Sequence, residues 1–254
     1  MTTFEEYKAR PISTPVKKWD WGQSRLQPIE ECGERLVSMS YAPEKILANS
    51  QYGLQLLEGA LPDVLCREGV LRRLLGAAEH LPPGFRFVVY DCWRPVRLQQ
   101  SLFDALKEQL REANPEKTGD ELQEMTLTYV ALPSEDETKP SPHNTGGAID
   151  LTIVDDEGFV LNMGGDYDDA SEISNTAYLE NKLARGEELT AGEIEACENR
   201  RAFYGIMTDA GFSNYIDEWW HFDFGNQNWA WATGAAHAIY GRTSPGLPWN
   251  HEIK

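Results

Sequence analysis

The spacing of apolar and polar positions changes several times along the chain, and each change predicts an element. "RLVSMSYA", residues 35–42, alternates well enough for a strand. "VLRRLLGAAEHL" has apolar residues at helical spacing, and "FRFVVYD", rich in aromatic and β-branched residues, predicts a buried strand ending at Asp91. A helix follows at once in "CWRPVRLQQSLFDALKEQLREA": Leu98, Leu102, Leu106 and Leu110 recur every four residues, and Pro95 suits its first turn. "DELQEMTLTYVAL" predicts another helix, stopped at Pro133 and followed by a polar loop. "AIDLTIVDDEGFVLNMGG" predicts strand, acidic turn, strand. "AGEIEACENRRAFYGIMTDAG" predicts a long amphipathic helix that Gly211 ends. In "EWWHFDFG" alternation puts His221 and Asp223 on one face and Trp220, Phe222 and Phe224 on the other.

Strands and helices mix without regular βαβ alternation, which predicts an α+β fold. Residues 1–35 predict an irregular arm, because Pro11, Pro15 and Pro28 interrupt any regular element. No internal repeat or long low-complexity linker divides the 254 residues, so residues 36–254, the aromatic tail included, are expected to form one domain.

Charge narrows the function. With 41 acidic against 23 basic residues, a formal charge of −18 argues against binding nucleic acid or an anionic membrane, and disfavours anionic cell-wall polymers. The first residues lack a basic start with an apolar run behind it, and no apolar stretch reaches the roughly 18 residues of a membrane span, so a cytoplasmic protein is expected. Cys32, Cys66, Cys92 and Cys197 form no C-x-x-C pair; buried free thiols are expected, rather than disulfides or a cysteine zinc site.

Two segments carry candidate chemistry. "SPHNTGGAID" sets His143 seven positions before Asp150 with two glycines between, an arrangement compatible with a metal site, a catalytic dyad or a surface turn. "DEWWHFDF" adds Glu218 and His221 in a strand-like run. Hydrolytic zinc sites take three N/O protein ligands and keep one position open. His143, Asp150 and His221 would make that set. Glu218 would then be spare, as the general base of metal-assisted peptide hydrolysis must be. Asp223, on the same face as His221, is either a support for it or a surface residue. The helical H-E-x-x-H motif is absent.

These segments resemble the zinc D-alanyl-D-alanine dipeptidases of the VanX type. "SPHNTGGAID" fits their S-x-H-x-x-G-x-A-x-D signature and "EWWH" their E-x-W-H. "YDCWRP" is similar to their arginine segment, "MGGDYDD" to the loop after the metal-binding hairpin, and "ENRRAFYGIMTDAGF" to the helix before the second metal segment. The resemblance, from about Tyr41 to Phe224, implies a small, mostly antiparallel sheet flanked by helices, the fold shared by D,D-peptidases and hedgehog domains. It implies one zinc ion per chain on His143, Asp150 and His221, with Glu218 as general base and then acid, and Arg94 steadying the oxyanion. It further implies that Ser141, Tyr41 and Asp168 line a pocket for a small dipeptide substrate, Asp168 meeting the free ammonium. The alternatives are a D,D-carboxypeptidase or wall endopeptidase on the same fold, or a zinc-binding module without catalysis. Trp229, Trp231 and Tyr240 are expected to cover the core, and His237 and His251 are not expected to bind metal.

Overall fold

The computed structural model describes residues 2–13, 18–127, 130, 133–134 and 136–246. Its strands are β1 (Leu36–Ser38), β2 (Ile46–Ala48), β3 (Leu65–Arg67), β4 (Arg86–Asp91), β5 (Ala148–Val154), β6 (Ser213–Asn214) and β7 (His221–Asp223). Its helices are α1 (Phe4–Lys8), α2 (Trp21–Ser24), α3 (Gln51–Leu54), α4 (Glu68–Ala78), α5 (Val96–Ala113), α6 (Gly119–Leu127), α7 (Tyr178–Ala184), α8 (Ala191–Asp209) and α9 (Gln227–Thr233). A five-stranded sheet runs in the order β2-β4-β5-β7-β6, and β1 pairs with β3 alongside it. Every pairing is antiparallel except β2 with β4. The fold is α+β, as expected.

β5 lies mid-sheet with every residue buried, which explains why "AIDLTIV" reads as an apolar run broken by Asp150 and Thr152. Ile149, Leu151 and Ile153 join Phe87 and Val89 of β4, Trp219, Trp220 and Phe222, and Phe203, Ile206 and Met207 of α8 in one core. Each such side chain contributes roughly 1.5–3 kcal/mol through burial. A charge in that strand therefore needs partners, and Asp150 has them.

Several expectations change. The first 35 residues are not wholly irregular. The Thr3 side chain accepts the Glu6 amide while Glu6 returns to the Thr3 amide, and this capping box starts α1, which docks on α8. Tyr7 reaches Asp209 at 3.0 Å, and Gly205 leaves its ring room. Asp20 caps α2; Pro15 lies outside the described residues. "RLVSMSYA" is extended only over β1 before a 3-10 turn. Pro95 is the N-cap of α5 rather than a residue of its first turn. α6 reaches Leu127, beyond which most of "TYVAL" is outside the described residues. The second arm of the predicted hairpin makes a single bridge, Val154 to Val160, because Phe159 and Val160 face solvent and gain nothing from a longer ladder. Cys66, Cys92 and Cys197 are buried and free, but Cys32 is exposed.

Arg67, 2% exposed, ties distant segments together. Its Nε donates to the Thr145 carbonyl at 2.8 Å, its two terminal nitrogens meet the Glu31 carboxylate at 3.1 and 2.9 Å, and they also donate to the carbonyls of Glu34 and Gly241. Tyr240 packs under the guanidinium and is fully buried, in keeping with a tail that covers the core. The Trp229 ring lies tilted against that of Phe224 at 5.1 Å, and Trp231 meets Trp19 edge-on at 4.8 Å.

Candidate active site

Three adjacent strands place three chemical groups side by side. Asp150 of β5 stands opposite His221 of β7 on one side and Asp91 of β4 on the other. A register shift between Val89 and Asp91 marks a bulge that re-aims the end of β4. His143 comes from the 3-10 turn Pro142–Thr145 that leads into β5. The two glycines of "SPHNTGGAID" now have reasons. Gly146 ends the turn at φ +69°, and a Cβ on Gly147 would lie 2.4 Å from the Phe224 carbonyl oxygen.

One ligand atom from each of His143, Asp150 and His221 lies within 4.8 Å of the others, so among the described residues these three form a set that can hold a metal ion. The ring nitrogens fit that role. His143 Nδ1 lies 2.8 Å from the Cys92 carbonyl, to which it donates, leaving Nε2 free toward Asp150 Oδ2 at 3.5 Å. His221 Nε2 lies 3.2 Å from Asp223 Oδ2, so Nδ1, 2.9 Å from Asp150 Oδ1, faces the other ligands. Asp223 is wholly buried and also accepts from Asn226 at 2.5 Å and Asn228 at 3.2 Å. It supports His221 in the way that orients metal-bound histidines. A buried N, N, O donor set suits zinc.

The surrounding charges set the protonation of this set. Burial holds His143 below the ordinary histidine range. Burial alone would do the same to His221, but Asp223 and Asp150 on either side outweigh it and raise His221 well above that range. Burial would raise Asp150, yet His143, His221 and Arg94 together lower it. A metal held by this set would need the facing nitrogen of His221 unprotonated, so its binding would be coupled to proton release.

Glu218 Oε2 lies 3.7 Å from His221 Nδ1 in the turn preceding β7, where the Glu218 amide donates to the Tyr215 carbonyl. Its carboxyl is pushed up to about 7 by burial first and then by Asp150 and Asp168, with His221 and Arg94 opposing. Arg94 sits across the site, 3.9 Å from Asp150 Oδ2. Its Nε and one terminal nitrogen meet Asp91 at 2.8 and 2.7 Å, and the other donates to Gln99 at 2.8 Å. The metal turn is joined to this segment, since the Arg94 amide donates to the His143 carbonyl and Asn144 donates to that of Arg94.

Asp168 borders the same space, at φ +62° in the loop after β5. Much of its surface meets solvent, yet loss of water within the cleft first, and the charges of Asp150 and Asp91 next, push its carboxyl up to about 7. The hydroxyl reaching it, at 3.4 Å, is that of Tyr52, which also approaches Tyr167 at 3.2 Å and Arg94 at 3.5 Å. Tyr41, expected to line the pocket, is instead 80% exposed at the end of a 3-10 turn. The hydroxyl that lies beside Asp168 and Arg94 is that of Tyr52 of α3. Ser141 is half-buried, two residues before His143. His237 pairs with Glu30 rather than with the metal set, and His251 lies outside the described residues.

Asp91, Gln99, Tyr52 and Tyr167 were missed. Asp91 had a signal in the sequence, as the final residue of a buried strand three positions before Arg94.

A family model described as D-ala-D-ala dipeptidase matches residues 58–238. A D-alanyl-D-alanine dipeptidase of Synechocystis sp. is 32% identical over 236 residues, covering 85% of this chain and 94% of that protein.

The chain belongs to the D-alanyl-D-alanine dipeptidase family.

A second member, the D-alanyl-D-alanine dipeptidase of Escherichia coli, is 31% identical over 140 residues, 55% of each chain. The zinc-bound structure of a vancomycin resistance D,D-pentapeptidase, VanY, aligns with a TM-score of 0.38 and 16% identity over 81% of this chain and 88% of that one. Family membership accords with the resemblance carried by "SPHNTGGAID" and "EWWH", and both segments fall inside the matched residues. Among the described residues, no helix is long and apolar enough to cross a membrane.

Proposed function

We propose that this chain hydrolyses the dipeptide D-alanyl-D-alanine to two D-alanines, in the cytoplasm, with one zinc ion held by His143, Asp150 and His221. Residues 36–254 would form the catalytic domain, with the arm of residues 1–35 bracing it through Glu31 and Arg67. The observation that carries the reading is a spare carboxylate: Glu218 stands 3.7 Å from a metal-facing histidine nitrogen and outside the three-ligand set. A module that only binds metal has no use for it.

Zinc, when bound, supplies a Lewis acid that polarises the scissile carbonyl. The chain supplies the rest. Glu218, with its carboxyl near 7, takes the proton of the attacking water and returns it to the leaving amine. Arg94, fixed by Asp91 and Gln99, presents its remaining donor edge to the developing oxyanion. Asp168, with the Tyr52 hydroxyl beside it, receives the substrate's free ammonium, and Ser141 lines the cleft next to His143.

The test compares free and N-acetylated D-alanyl-D-alanine, with metal analysis of the same sample. A free dipeptide brings an ammonium to Asp168 and gains a charged hydrogen bond of roughly 1.5–3 kcal/mol there, which an acylated one forgoes. Acetylation should therefore lower kcat/KM at least about tenfold. Equal cleavage of the two substrates would instead favour a D,D-carboxypeptidase and return Asp168 to an ordinary loop acid.

A further inference from the structure

The loop bearing Asp168 leaves the β5 end of the sheet and returns in front of α7, and one side chain holds both of its ends. Arg200 of α8 is buried, with Nε donating to the Met163 carbonyl at 2.6 Å. Its two terminal nitrogens donate to the carbonyls of Asn175 at 2.8 Å and Ile173 at 2.6 Å. Met163 opens the loop, while Ile173 and Asn175 close it. Among the described residues no carboxylate pairs with this guanidinium, and burial pulls it down to about 10. Desolvating a cation without an ionic partner is costly, so its bonds to three carbonyls are its main compensation.

The neighbouring contacts show what those bonds secure. Asn199 donates to the Asn162 carbonyl at 2.9 Å, fixing the stem of the loop to the same helix. Gly165 packs so closely on Ile173 that an added Cβ would meet its Cγ2 at 2.9 Å. The returning end of the loop is bonded to the segment carrying Glu218: the Trp219 amide donates to the Ser174 carbonyl, and the Thr176 amide to that of Ile216, both at 2.9 Å. Trp219 itself lies 5.8 Å from the guanidinium. Asp168 meanwhile holds a left-handed backbone, which aspartate adopts more readily than most non-glycine residues.

We propose that Arg200 is the positioning residue for the subsite that receives the substrate's free ammonium. It acts through residues 163–176, setting where Asp168 stands relative to Glu218 and the metal ligands. This rests on the dipeptidase reading above and extends it to a residue that does not touch substrate. A lysine retains the charge but cannot span three carbonyls with one nitrogen, so Arg200→Lys removes the fork, and protection of α8 from exchange reports that the fold persists.

The experiment measures zinc content, kcat and KM for free and N-acetylated D-alanyl-D-alanine, and amide hydrogen exchange, in wild type, Arg200→Lys, Asp168→Ala and the double variant. In Arg200→Lys, zinc content should stay at one per chain and residues 164–175 should exchange faster while α8 stays protected. The kcat/KM for the free dipeptide should fall about tenfold, mainly through KM, with little change for the acetylated one. The double variant should be no worse than Asp168→Ala, because Arg200 acts through Asp168. Unchanged exchange in the loop, or an equal loss on both substrates, would overturn the role of Arg200. Wild-type enzyme that treats both substrates alike would sink the dipeptidase reading, and this role with it.

Discussion

Asp223→Asn keeps the size and shape of a wholly buried side chain while changing its hydrogen-bond character. The native carboxylate accepts from His221 Nε2 and Asn228 on Oδ2 and from Asn226 on Oδ1. An amide offers one acceptor oxygen and one donor NH2, so one side must fail. If the NH2 faces His221, the ring has to carry its proton on Nδ1, and the nitrogen meant for the metal loses its lone pair. If the NH2 faces Asn226, two donors meet in a dry space. Asn226 cannot turn its own amide at no cost, because its Oδ1 caps α9 by accepting the Trp229 amide at 3.0 Å. The first outcome should weaken zinc binding about 10–100-fold, the range for losing a partner that orients a metal-bound histidine, or about 1.4–2.7 kcal/mol. The second leaves a buried donor unmade or gives up a helix cap, at roughly 1–3 kcal/mol of stability. Chelator competition for zinc and thermal unfolding of the metal-free protein read the two outcomes separately. A variant with zinc affinity within about twofold of wild type and an unchanged unfolding midpoint would refute the reasoning.

Glu218→Gln should retain one zinc by elemental analysis and lose about 10²–10⁴-fold in turnover, the contribution of a general acid–base group. Arg94→Lys keeps the charge but gives up the paired bonds to Asp91 and Gln99; kcat should drop about 10²-fold or more, with a smaller change in KM in steady-state assays. Removing zinc should lower the unfolding midpoint, since free metal at about 100 times its dissociation constant contributes about 2.7 kcal/mol to the folded state. Scanning calorimetry with and without chelator checks it.

The strands and the long helices were legible in the sequence because burial on a sheet or a helix face imposes a period. β4, β5 and α8 appear where the patterns put them. The metal set was legible because two short motifs hold it and β5 and β7 bring them together by simple pairing. What escaped depends on contacts without a period. Tyr52 and Tyr41 stand in one stretch of short turns and helices, where nothing local says which hydroxyl turns inward. α1 hangs on a four-residue capping box within a segment that its prolines make look irregular. Arg67 and Arg200 read as ordinary helix-flanking and helical charges, yet both are buried against backbone carbonyls, which have no signature in a sequence.

Arg67 also ties the metal turn to a stretch of chain far along the sequence. The chain has supplied His143, Asp150 and His221 once residue 221 is made, but the Gly241 carbonyl that takes one of the Arg67 donors comes 174 residues after Arg67 itself. Until then the guanidinium beneath the Thr145 end of the metal turn has a bond missing, and the Tyr240 ring that packs against it is not yet in place. Without that stretch the metal turn would keep the Thr145 bond to Arg67 and lose two of the contacts that hold the guanidinium in place. A chain halted before Gly241 would carry His143, Asp150, Glu218 and His221 and lack one bond of the brace behind the turn that bears the first of them.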